Sequence, residues 1–281
     1  MKNPSKLFTR NSWDREIVGL IPAGGTAKRI APLPFSKELF PIGYQKLQGR
    51  PHPHPKVVCQ YLLEKFQCAG INQAYIVLRK GKWDIPAYFG DGKLVNMHLS
   101  YLIMREPYGP PFTLDQAYPF LSNKLVAFGF PDIMFDQDDV FKQLRNHQEA
   151  IQSDVVLALF SAHNSQIMDM VDIDENGKIR AIFLKPVHMD LHFSWLCGVW
   201  TPVFTHFMHE YLQAYRVEHS LQNRKENDSE QEDLTVGAVI QAAIKNGLEV
   251  HGVTFPDGKY IDIGTPEGLV KSVELFGCHS S

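Results

Sequence analysis

The chain has 281 residues, 44% of them hydrophobic, which is enough for one large α/β domain with a real core. Lys and Arg number 28 against 31 Asp and Glu, a formal charge of -3, so no global field recruits nucleic acid or an acidic membrane and any bound anion must be met by local charge. The four cysteines contain no C-x-x-C pair and no apolar run approaches the roughly 20 residues of a membrane span, so the expectation is a cytoplasmic protein in a reducing compartment.

Residues 1–15 are polar and read as a flexible segment ahead of the first element. "IVGLI" (17–21) is the first predicted strand. "VVCQYLLEKFQCAG" (57–70) is predicted as a helix, with Val58, Tyr61, Leu62, Phe66 and Ala69 on one face. Further strands are predicted at "AYIVL" (74–78), "LSYLIM" (99–104), "KLVAFG" (124–129) and "DVVLALF" (154–160). "DQDDVFKQLRNHQEA" (136–150) is a helix that opens on N-cap residues. Most of these strands are apolar on both faces, as strands covered by helices on two sides must be. The predicted fold is therefore a three-layer, Rossmann-like α/β domain with a mixed, mainly parallel central sheet and right-handed crossovers.

The second half is more mixed. "DMVDIDENGKIRAIFLKP" (169–186) reads as two antiparallel strands joined by the turn 174–177, whose Asn-Gly supplies positive φ. "PVFTHFMHEYLQAY" (202–215) is a helix with His206 and His209 on one surface face, and "SLQNRKENDSEQED" (220–233) is a solvated stretch. No repeat or composition shift marks a boundary, so the whole chain reads as one domain.

The segment "GLIPAGGTAKRIAPLPFSKELFPIG" (19–43) places bare backbone and positive charge just after the first strand. Ligands of open parallel sheets sit outside the carboxyl ends of the strands. Gly24 and Gly25 let backbone N–H groups approach an anion and tolerate the positive φ of a tight turn. Arg29 can fork onto a phosphate, and Lys37 lies beyond a loop stiffened by Pro32 and Pro34. Neither the Walker pattern nor the dinucleotide G-x-G-x-x-G is matched. The plain alternative is a tight strand-to-helix turn with solvated cations.

That segment resembles the N-terminal signature of the sugar nucleotidyltransferases, of the glucose-1-phosphate thymidylyltransferase and uridylyltransferase kind. "VAFGFPDIMF", "IRAIFLKP" and "KYIDIGTPEGL" are similar, in the same order, to three further segments of that family. The resemblance implies attack of a sugar 1-phosphate on the α-phosphate of a nucleoside triphosphate, giving a nucleotide sugar and pyrophosphate. It implies that Ala23, Gly24 and Gly25, with Glu106 and Gly109 of the base-reading region, bind the nucleotide. Arg29 corresponds to the arginine that holds the leaving phosphates, Lys37 to the lysine beside the α-phosphate, and Lys185 to the lysine that grips the sugar phosphate. Asp132 and Asp262 correspond to carboxylates that share one Mg²⁺ with substrate phosphates and water, a ligand set this hard cation favours. The implied partners are an NTP, dTTP or UTP first, and a hexose 1-phosphate, with neither nucleic acid nor membrane; self-association is left open.

Each residue also has a structural reading. Asp132 follows a proline, as turn residues do, and Asp262 could organise the turn before Thr265 and Pro266, the expected start of a last helix. "PHPHP" (51–55) reads as an extended proline-rich loop within an insertion, 43–55, that could lid the site or serve an interface. No carboxylate or Cys stands at zinc-ligand spacing from the histidines. Three positions depart from the family pattern: Leu184 replaces a glutamate that would accept hydrogen bonds from sugar hydroxyls, Lys28 replaces a small residue, and Glu106 replaces a glutamine. Glu38 follows Lys37, as in the uridylyltransferase branch. These departures motivate a rival expectation, a catalytically weak relative that binds sugar nucleotide or NTP as a sensor or partner subunit.

Overall fold

The structure, a computed structural model, describes residues 14–47, 49, 51–105, 108–162, 168–187, 190–219 and 233–276. The elements in chain order are β1 (Asp14–Ala23), β2 (Pro41–Gln45), β3 (His54–Val57), α1 (Val58–Cys68), β4 (Gln73–Leu78), α2 (Asp84–Phe89), β5 (His98–Ile103), α3 (Pro110–Asp115), α4 (Tyr118–Leu121), β6 (Lys124–Gly129) and β7 (Ile133–Phe135). They continue with α5 (Val140–Ile151), β8 (Val155–Ser161), β9 (Met170–Ile173), β10 (Ile179–Phe183), β11 (Phe193–Trp200), α6 (Pro202–Glu218), α7 (Val236–Lys245), β12 (Val250–Phe255), β13 (Tyr260–Asp262) and α8 (Pro266–Phe276).

The central sheet runs β12-β8-β11-β6-β1-β4-β5, with the β9–β10 hairpin joined to the start of β11. β11 is antiparallel to both β6 and β8, while β6, β1, β4 and β5 are mutually parallel and β12 is parallel to β8. This is the mixed, mainly parallel sheet expected from the sequence. Its layering follows from the period-two alternation of side chains along a strand. In β1, Ile17, Ile21 and Ala23 enter one core and Val18 and Leu20 the other. β6 divides in the same way, Leu125 and Ala127 against Val126 and Phe128. The first core is closed by α1 and α5 through Leu62, Phe66, Phe141 and Leu144, the second by α3, α6 and α7 through Phe112, Phe204, Leu212 and Ile240. Phe66 is fully buried, and its truncation to Ala would cost about 3–5 kcal/mol.

Several expectations are corrected in detail. β1 begins at Asp14 and ends at Ala23, longer at both ends than 17–21, and residues 1–13 lie outside the described ones. The "PHPHP" segment is not all extended loop, because His54 and Pro55 enter β3, which pairs antiparallel with β2. That hairpin is tied to α1 by Tyr61 Oη donating to Ile42 O at 2.8 Å, and none of its described residues lines the cleft described below. Asp139 precedes α5 without capping it and instead accepts from the Gln143 side chain at 3.0 Å. In the 174–177 turn Gly177 alone carries positive φ (81°), while Asp174 Oδ1 accepts from the Asn176 and Lys178 amides.

His206 and His209 do not form a surface face. His209 stacks on Tyr118 with ring centroids 3.8 Å apart and bonds Asp115 at 2.8 Å, and His206 bonds the Tyr118 hydroxyl at 2.9 Å. Periodicity along α6 shows which residues share a face but not that α3 and α4 cover a second one. Of the stretch 220–233, only Asp233 lies among the described residues.

Candidate active site

A cleft of about 400 Å³ opens at the carboxyl ends of the parallel strands. Gly24 and Gly25 follow β1, Arg79 follows β4, Met104 follows β5, and Phe130 and Asp132 follow β6; all line it. The site is therefore where the sheet topology places it. The glycines act through their lack of bulk, since neither has positive φ; Ala27, at 54°, carries that conformation instead. A Cβ on Gly24 would come within 2.6 Å of Met104 Sδ, and one on Gly25 would point at Lys37 Nζ, 3.8 Å away. The loop after Gly25 is pinned to α2 by the Asp84 carboxylate, which accepts from Ser36 N at 2.6 Å and Ser36 Oγ at 2.7 Å. A single 3-10 turn, Lys37–Leu39, then presents Lys37 and Glu38 in succession.

Four charged groups converge at one end of the cleft. Lys37 Nζ pairs with Asp132 Oδ2, and Arg29 Nη2 stands 3.6 Å from Asp262 Oδ2. β13 pairs with β7, Asp262 opposite Ile133, and Ile263 N donates to Asp132 O at 3.0 Å, so the two carboxylates are held side by side. Gly264 lies between them: a Cβ there would be 2.9 Å from Asp262 Oδ1, 3.0 Å from Asp132 Oδ2 and 3.0 Å from Arg29 Nη2. Asp262 serves both of its sequence readings. Its Oδ1 accepts from Gly264 N at 2.7 Å and its carbonyl from Thr265 Oγ1, which in turn accepts from Gly268 N at the start of α8.

The electrostatics follow from burial. Desolvation and the neighbouring Asp132 push the Asp262 carboxyl above its usual range, against the pull of the Gly264 amide, Arg29 and Lys37. Burial pulls the Lys37 ammonium down, but Asp132, helped by Glu38 and Asp262, overcomes it and the net shift is upward. Glu38 is nearly inaccessible, and burial raises its carboxyl even though Lys82 Nζ forks onto it at 2.7 and 2.8 Å.

The residues singled out in the sequence are distributed as follows. Gly24, Gly25, Arg29, Lys37, Gly109, Asp132 and Asp262 line the cleft together. Ala23 does not: its side chain is fully buried in the first core, because it is the last residue of a strand whose alternation points it inward. Gly109 has φ 116°, and a Cβ there would strike Leu234 O at 2.2 Å. Glu106 lies outside the described residues. Lys28 is exposed beside Arg29 and does not line the cleft. Lys185 does not line it either; it is exposed in the turn after β10, with φ 40°, beside Asp169. Asp169 is connected back to the cleft through Trp195, whose ring stands 5.9 Å from that of Phe130.

Sequence reasoning passed over Arg79, Thr113, Phe130 and Asp233, which also line the cleft. Arg79 was accessible to the rule applied to the first strand, since it directly follows a predicted parallel strand. Asp233 was not, because it reaches the cleft from a segment with no periodic signal.

Among the described residues no cluster of three or more His, Cys, Asp or Glu could hold a metal by itself. Asp132 and Asp262 nevertheless suit a Mg²⁺ ion that keeps waters and shares phosphate oxygens, for which two carboxylates are sufficient. The missing Cβ of Gly264 keeps the space between them clear.

A low-salt glycan biosynthesis nucleotidyltransferase, Agl11, of Haloferax volcanii is 22% identical over 266 residues, covering 92% of this chain and 65% of the relative. A glucose-1-phosphate thymidylyltransferase of Streptomyces griseus is 25% identical over 199 residues, covering 69% of this chain and 51% of the relative. The chain thus spans between half and two thirds of the length of these relatives. In fold it is similar to a Bacillus anthracis protein described as a glucose-1-phosphate thymidylyltransferase, solved with sucrose, at TM-score 0.73 and 18% identity over 94% of this chain and 97% of that one. A UDP-glucose pyrophosphorylase solved with UDP-glucose gives TM-score 0.70 at 17% identity over 92% and 98%. The nucleotidyl transferase family model matches residues 18–275, nearly the whole described chain, and the protein belongs to that family.

Proposed function

We propose that the protein is a sugar-1-phosphate nucleotidyltransferase that forms a nucleotide sugar and pyrophosphate from an NTP and a hexose 1-phosphate, with Mg²⁺. The observation that carries this reading is the convergence of Arg29, Lys37, Asp132 and Asp262 at the glycine-lined end of one cleft. Displacement at phosphorus asks a protein for alignment and charge neutralisation more than for covalent chemistry. An oxygen of the sugar phosphate forms the new bond to the α-phosphorus as the bond to the pyrophosphate oxygen breaks. Arg29, largely exposed at the mouth, forks onto the leaving phosphates. Lys37 is held at one position by Asp132 and the Ser36–Asp84 contacts, so its charge meets the α-phosphate without reorganisation. The Gly24 and Gly25 backbone lies along the nucleotide, with Gly109 also lining the cleft.

Magnesium bound by Asp132 and Asp262 would neutralise phosphate oxygens and orient the two substrates. dTTP and UTP are the first triphosphates to try, as the names of the relatives suggest. The deciding experiment is pyrophosphate release over a matrix of NTPs and sugar 1-phosphates with Mg²⁺. Release from at least one pair supports the reading. No release from any pair, with NTP binding retained, would overturn it in favour of a binding or sensor role.

A further inference from the structure

We propose that Asp169 is the carboxylate that reads the sugar hydroxyls in this chain, taking the part of the side chain absent at Leu184; this rests on the nucleotidyltransferase reading above. Asp169 directly precedes β9, and three groups face its carboxylate: the Lys185 ammonium, the Lys185 backbone N–H, which donates to it, and the Trp195 indole N–H. Trp195 is only 7% exposed, and its buried indole N–H faces the carboxylate rather than solvent.

The position is defined by Gly237, in the first turn of α7. A Cβ there would lie 2.2 Å from Asp169 Oδ2 and 3.2 Å from Leu184 Cδ2. The Asp169 carboxylate and the Leu184 side chain therefore flank the same point. A carboxylate at either residue would present its oxygens to the same neighbourhood, and the glycine makes room for it. A purely structural role in capping α7 is unneeded, because Thr235 Oγ1 already accepts from Ala238 N at 3.1 Å. Burial raises the Asp169 carboxyl above its usual range, against the pull of Lys185 and Trp195.

The cluster adjoins the cleft through one aromatic contact. Phe130, two residues before Asp132, lines the cleft and stands 5.9 Å from the Trp195 ring, which leads on to Asp169 and Lys185. A molecule whose phosphate lies near Asp132 would pass Phe130 and meet an acceptor, Asp169, and a cation, Lys185. That set of groups suits a hydroxylated ring carrying a phosphate. The carboxylate accepts from neighbouring hydroxyls, and a deoxy ring leaves it unpaired.

The test uses glucose 1-phosphate with whichever NTP turns over. Asp169→Asn should raise the KM for glucose 1-phosphate at least ten-fold and leave the KM for NTP within two-fold. The double change Asp169→Gly with Leu184→Glu, which moves the carboxylate across Gly237, should recover at least half of that loss. Unchanged sugar-phosphate KM in Asp169→Asn overturns the proposal. So does a rise in both KM values with a lowered Tm that the double change does not repair, which would mark Asp169 as structural. If the wild-type protein releases no pyrophosphate, the nucleotidyltransferase reading fails separately. Calorimetric titration with glucose 1-phosphate then still compares wild type with Asp169→Asn, and equal affinity would refute the proposal.

Discussion

Replacing Gly264 by Ala puts one methyl group among the charges of the cleft. Gly264 is not in the left-handed backbone region, so alanine introduces no backbone strain there. The methyl carbon would stand 3.0 Å from Arg29 Nη2 and Asp132 Oδ2 and 2.9 Å from Asp262 Oδ1. The neighbours differ in how they can yield. The Arg29 side chain is 62% exposed and can swing into solvent, whereas the Asp132 side chain is 10% exposed and locked to Lys37. The displacement therefore falls on Arg29 and Asp262, and the space between the carboxylates is filled. Losing one electrostatic contact to the transition state costs about 2.7–4 kcal/mol, or roughly a hundred- to a thousand-fold in kcat. Overpacking costs about 1–3 kcal/mol of stability, partly offset by about 0.4–1 kcal/mol from the stiffer unfolded chain. Steady-state pyrophosphate release should fall about a hundred-fold or more while Tm falls by no more than about 10 °C. A kcat within three-fold of wild type would show that neither substrate phosphate nor metal uses the space beside Gly264.

Asp132→Asn and Asp262→Asn should both abolish turnover at saturating Mg²⁺ but move stability in opposite directions: the first leaves the buried Lys37 ammonium poorly paired, the second removes a charge that burial and Asp132 already disfavour. Equal losses of Tm in the two variants would contradict that account. Lys82→Met should destabilise the fold by about 3–5 kcal/mol in urea titrations, because Glu38 is left buried and unpaired. Adding Glu38→Leu should recover part of the loss, and no recovery would mean that the pair is not what costs stability. Burial and the facing His147 and Lys178 hold the His251 imidazole below its ordinary 6.5, against the pull of Glu249 and Asp174. The unfolded chain therefore takes up a proton that the fold resists, and the stability present above pH 6.5 is lost as pH falls through the lower folded value. His251→Gln should flatten the fall of Tm between pH 6.5 and 5; an unchanged slope would sink this reading.

The periodic parts of the sequence determined the layers. A strand such as "KLVAFG" is apolar on both faces because its alternate residues enter two different cores, and that requirement is local enough to be seen in six residues. The glycines, Arg29 and Lys37 were legible for the same reason, since a cleft at the end of a parallel strand draws on residues that follow the strand directly. Which partners those residues meet was decided by the tertiary structure alone. Lys37 finds Asp132, 95 positions away, and Lys82 turns Glu38, a residue read as a mark of substrate preference, into half of a buried ion pair. The outward look of His206 and His209 was reversed by the packing of α6 on α3 and α4, and Ala23 was turned into the core by the pleat of β1. Gly264 and Asp169 matter through what an absent Cβ leaves open and through a carboxylate standing across a glycine from Leu184. Hydrophobic period records which face of a segment leaves water; pairing across the sheet depends on strand order and loop closure, which no local pattern carries.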